Sequence, residues 1–121
     1  MRYDLIFITA ALLCLLGGEM LGIWMGVAHD FTFAPVHAHL NLLGWVTLAA
    51  YGLMHRAYPG LAASRLARAQ CALAIASSVA MPAGIAHAMV AQNPIVAIVA
   101  GLGVFAATLA FLAMFLRRAR A

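Results

Sequence analysis

Four long apolar stretches, Leu5 to Val27, Val36 to Met54, Ala69 to Val90 and Pro94 to Leu116, constrain this chain more than any other feature. Each is about 20 residues long, the length at which a helix rising about 1.5 Å per residue crosses the roughly 30 Å hydrocarbon core of a bilayer. Only a helix satisfies the backbone of one isolated segment in lipid, so these stretches predict helices. With 67% hydrophobic and 8% charged residues, the chain lies far from the composition of a soluble domain, about 25% charged. It reads as all-α, an integral membrane four-helix bundle forming a single transmembrane domain over residues 1–121, with the lipid bilayer as its solvent.

The links between the stretches predict orientation. Arg2 precedes the first, Arg56, Arg65 and Arg68 fill the link between the second and third, and Arg117, Arg118 and Arg120 follow the fourth. The links His29 to Pro35 and Ala91 to Pro94 carry no Lys or Arg. By the positive-inside rule both termini and the middle link are cytoplasmic. A pI near 9.8 could suggest nucleic acid, but these arginines cap apolar runs and form no patch interleaved with aromatics, so no nucleic-acid partner is expected. Arg2 followed by Leu5 to Leu16 resembles a signal peptide with Gly26-Val27-Ala28 as the cleavage site. The run exceeds the length of a signal h-region, and a retained first helix is expected. Pro35, Pro59 and Pro94 punctuate span ends, and Pro82 falls inside the third span, where a kink is expected. Cys14 and Cys71 lie in apolar runs without CxxC spacing and read as buried thiols.

Gly18, Gly22 and Gly26 recur every four residues in the first span, a small-residue stripe along which another helix can approach closely, within the chain or in a partner. Glu19 stands beside it, well inside the span. An intramembrane acid must be neutralised, paired or hydrated, so a histidine, hydroxyl or water partner is expected for it. Trp24 suits an interfacial belt, whereas Trp45 lies mid-span as packing or a cofactor wall. Tyr51 and Tyr58 flank the cytoplasmic side and are assigned no chemistry.

The five histidines are informative through their depth. His29 closes the first span, His37 and His39 open the second, and His87 lies about one turn before the end of the third, so all four are expected near the outer face. His55 falls at the opposite end, roughly 27 Å along the helix from His37, as a solvated interfacial side chain. His37 and His39 are separated by roughly 200° of helical rotation and cannot hold one ion together. Asn41 and Gly44 share the face of His37, while Gly84, Ala80 and Ser77 back His87. Facing strips of small residues would leave a slot for a flat ligand such as an axially ligated porphyrin, although Gly and Ala also permit tight packing without one.

The stretch Pro35-Val36-His37-Ala38-His39-Leu40-Asn41-Leu42-Leu43-Gly44-Trp45, preceded by His29-Asp30-Phe31, resembles small four-helix bacterial membrane proteins labelled cytochrome c oxidase subunit I-like. Its His-x-His helix is similar to that of the haem-copper oxidase and nitric oxide reductase superfamily, with specificity confined to about residues 29–58. The resemblance implies a multi-pass protein of the bacterial inner membrane that binds haem b through His37 and His39, one haem on each side of the helix. His87 joins them as a candidate ligand by depth alone, with Asn41, Gly44 and Gly84 around the cofactor. The expected activity is electron transfer or O2 or NO binding, with a redox partner. A complete oxidase site of that superfamily uses six histidines, and this chain has five, one of them at the wrong end. Oxygen reduction by one chain is not expected, and a homodimer could bring His39 to its counterpart across a two-fold axis.

Two alternatives come from the residues themselves. His29, His37 and His87, with Asp30 and the soft sulfurs of Met25 and Met89, could hold copper or zinc at the outer surface. Alternatively the chain is a non-catalytic or assembly subunit of a larger membrane complex, packing through the glycine stripe while its apolar fourth helix faces lipid.

Overall fold

The computed structural model describes residues 1–119 and is helical almost throughout, with no strand among them; Arg120, one of the topology arginines, lies outside the described residues. The chain runs through α1 (Tyr3–Ala28), α2 (Ala34–His39), a π-helix (Leu40–Thr47), α3 (Leu48–Ala57), a 3-10 turn (Pro59–Ala63), α4 (Ala67–Ala91) and α5 (Ile95–Arg118). Three helices, α1, α4 and α5, are long and apolar enough to cross a membrane. The second apolar stretch is helical from residue 34 to residue 57 without a break, but as three segments of different pitch.

Each long helix buries one stripe. In α1 the buried residues Phe7, Ala11, Cys14, Gly18 and Met25 follow helical spacing, and in α5 Ala100, Ala107, Phe111 and Met114 do the same. α1 packs along the π-helix and α3, α4 packs along α5, and α2 with the π-helix joins the two pairs through α4. Outward faces carry Leu13, Leu16, Ile23, Leu102 and Leu109, a surface suited to hydrocarbon. α4 runs through Pro82 without interruption, and Cys14 and Cys71 are buried free thiols.

The turns are closed by side chains. α1 ends at His29, whose φ of 50° places it in the left-handed region, and its N–H meets the Met25 carbonyl. Asp30 then accepts from the Thr32 amide at 3.0 Å and the Thr32 hydroxyl at 2.6 Å, which folds the link into α2. These bonds hold the Asp30 carboxyl below its usual range, the hydroxyl contributing most. The Asn93 side chain accepts from Ile95 N at 3.1 Å and starts α5.

The two ends are packed differently. At the arginine-bearing end large side chains interlock: Phe7, Tyr51 and Phe111 stack with centroids 5.4 and 4.5 Å apart, and the Tyr51 hydroxyl lies 3.1 Å from that of Thr108. At the histidine-bearing end glycine, alanine, Asn41 and His37 bring backbones close together. The π-helix separates these regimes, and the Thr47 hydroxyl donates to the Leu42 carbonyl five residues back at 2.8 Å.

Candidate functional site

Pro35 sits in the first turn of α2, where its missing N–H costs nothing, and the histidines follow directly. The turn between His37 and His39 sends the two rings to opposite sides, as their spacing requires. His37 turns onto α1, its Nδ1 2.8 Å from the Gly18 carbonyl. That acceptor fixes the proton on Nδ1 and leaves the lone pair on Nε2. The Asn41 amide lies 3.3 Å from Nε2 and also donates to the His37 carbonyl at 3.1 Å, so Asn41 competes for the nitrogen a metal would need.

His39 is built for the opposite outcome. It is half-exposed, and its Nδ1 donates to the Pro35 carbonyl one turn back at 2.7 Å. This bond orients the ring and makes Nε2 the basic nitrogen. Among the described residues no side chain hydrogen-bonds that nitrogen.

The small-residue strips do not form the expected slot. A side chain at Gly44 would meet Cys14 of α1, its Cβ 2.6 Å from the Cys14 Cβ. A side chain at Gly84 would meet the α5 backbone, 2.6 Å from Ala97 N. Gly44 and Gly84 thus face different helices, and each strip is filled by protein. His87 is exposed near the end of α4, and His29 is exposed at the cap of α1. Among the described residues no group of three or more His, Cys, Asp or Glu side chains is placed to hold a metal ion.

The glycine stripe of α1 serves the chain's own interior. Gly18 receives the Asn41 side chain and Gly22 receives the His37 ring, while Gly26 has nothing against it. Glu19 is exposed on the outward face beside Leu16, Met20 and Ile23, and among the described residues it has no internal hydrogen-bond or ionic partner. The expected internal partner is therefore absent, because one residue of helical rotation carries Glu19 off the packed stripe.

His55 also departs from expectation. It is only 6% exposed, held between Tyr3, Phe7 and Phe111 with ring centroids 5.3, 5.6 and 5.9 Å away, and neither ring nitrogen has a hydrogen-bond partner. Its spacing of four from Tyr51 puts it on the buried face of α3, a signal already present in the sequence. Gln70 was not singled out by sequence reasoning either. It is buried between α4 and α5, reaching the Ala107 carbonyl at 3.4 Å.

No family model matches the chain, and neither does any curated protein or solved structure.

Proposed function

We propose that the chain is a haem b binding protein of the bacterial inner membrane, a four-helix bundle with both termini cytoplasmic, in which His39 offers the axial nitrogen. The observation that carries this reading is the 2.7 Å bond from His39 Nδ1 to Pro35 O, which leaves Nε2 basic and directed away from its own backbone. The His-x-His resemblance supports the same residue. His37 suits the role less well, since Gly18 and Asn41 already engage its ring.

One protomer supplies one such nitrogen, so a second imidazole would come from a second copy of the chain across a two-fold axis. When bound, the haem supplies a reversible one-electron couple with two axial imidazoles, or an open position for O2 or NO with one. The chain's own part is to hold the His39 tautomer and to keep His37 in reserve behind Asn41. Protein purified in detergent should show a Soret band that His39→Ala abolishes and His37→Ala retains. No band and no haem uptake on reconstitution, or a spectrum indifferent to His39→Ala, would remove the reading.

A second reading, a non-catalytic or assembly subunit of a larger membrane complex, is favoured by Glu19, an acid on the outward face of a membrane-spanning helix that calls for a partner outside the chain. It requires that replacing both His37 and His39 leave spectra and metal content unchanged. Stoichiometric copper or zinc without iron would instead support a bare metal site near His29 and His39.

A further inference from the structure

At the arginine-bearing end, Arg2, Tyr3, Asp4, His55 and Arg56 line a cavity of about 160 Å³ between the start of α1 and the end of α3. Arg2 grips Asp4 through two hydrogen bonds of 2.9 and 2.8 Å, whereas Arg56 approaches the same carboxylate only to 3.9 Å with its side chain 73% exposed. Two guanidiniums and one carboxylate leave a single positive charge, and the donors of Arg56 are largely unspent. Behind them sits His55, more than nine-tenths buried with both nitrogens unpartnered. A buried donor without an acceptor costs about 1–3 kcal/mol, so a side chain in this state marks a place where a ligand or water completes the bonding.

A second cavity continues from the first. It measures about 390 Å³, is almost wholly apolar, and runs along α1 against Ile75 of α4, lined by Leu5, Ile6, Thr9, Ala10 and Leu13. Ile6, Thr9 and Leu13 stand four, seven and eleven residues beyond Arg2, on one helical face headed by that arginine. A cationic cup thus opens onto a greasy channel at the level where a membrane helix meets the headgroup layer.

We propose that these two cavities together form a binding site for one phospholipid, its phosphodiester held by Arg56, Arg2 and His55 and one acyl chain lying in the groove between α1 and α4. The singly charged phosphodiester matches the net charge of the cup, and guanidinium with imidazole N–H is a donor set suited to phosphate oxygens. A free phosphate would share the headgroup chemistry but would leave the apolar groove without purpose.

Native mass spectrometry of the full chain in detergent tests this, with phosphatidylglycerol and inorganic phosphate as separate probes. Phosphatidylglycerol should bind with unit stoichiometry, should not be displaced by inorganic phosphate, and should bind at least tenfold more weakly to Arg56→Gln. His55→Phe keeps the aromatic stack but removes both nitrogens and should weaken binding in the same direction. Independently of any variant, the His55 ring nitrogen signals of 15N-labelled wild type should shift on adding phosphatidylglycerol. Unchanged lipid affinity in Arg56→Gln, no shift at His55, or equal occupancy by inorganic phosphate would each overturn the proposal.

Discussion

The imidazole of His37 occupies the space that a side chain at Gly22 would need, its Cε1 lying 2.9 Å from where that Cβ would stand. The second glycine of the α1 stripe is therefore a receptor for a histidine of the same chain. Interdigitation of this kind couples two positions that sequence alone would treat separately.

Gly22→Ala should destabilise the protein by about 1–3 kcal/mol, the usual cost of overpacking, because a ring held by Gly18 cannot retreat easily. In a His37→Ala background the same substitution should cost nothing or stabilise slightly, since the obstructing ring is gone. Thermal or denaturant unfolding in detergent, arranged as a double-mutant cycle, measures the coupling.

Gly84→Ala should be more damaging than Gly101→Ala. The first would drive a methyl group into the α5 backbone, whereas the second meets only the flexible end of Met81, 3.6 Å from the new Cβ. We expect a loss of about 1–3 kcal/mol for Gly84 and less than about 0.5 kcal/mol for Gly101, read from unfolding midpoints.

Tyr51→Phe should have a small effect. It removes the 3.1 Å contact with Thr108, but the Thr108 hydroxyl keeps its bond to the Val104 carbonyl at 3.0 Å and is not stranded. A loss of about 0.6 kcal/mol, typical of hydrogen bonds between membrane helices, is expected from the same unfolding assay.

The link between α1 and α2 should loosen in acid. Thr32 holds the Asp30 carboxyl below its ordinary value, so the contribution of this turn is fully present above the usual carboxylate range and is lost as pH falls through the depressed value. Thr32→Val should remove the hydroxyl and raise the Asp30 transition toward the usual range, as seen by carboxyl 13C titration. An unchanged midpoint would show that the turn does not depend on this bond.

Much of the architecture was legible because lipid leaves few options. Apolar run length and loop chemistry marked the helices to within a few residues, and Asp30, Asn93 and Pro35 sit at the turns their chemistry favours. The opposite orientations of His37 and His39 followed from helical rotation. What periodicity could not reveal was which helix each small residue would face: Gly44 went to Cys14, Gly84 to Ala97, and Gly22 to His37. Small side chains accept many neighbours, so their pairing is decided by the fit of all the helices at once. His55 was misplaced for a related reason. Its position near a span end suggested water, but Tyr3 and Phe7, one turn apart on α1, close over it.

The widened turn at Leu40–Thr47 works as a phase adjuster between two ends of one continuous rod. It lets His37 meet Gly18 at one extremity while Tyr51 meets Thr108 at the other, two engagements that a uniform pitch would set against each other. Deleting a single residue within the bulged stretch would rotate everything beyond it by about 100°, so only one of those engagements could survive.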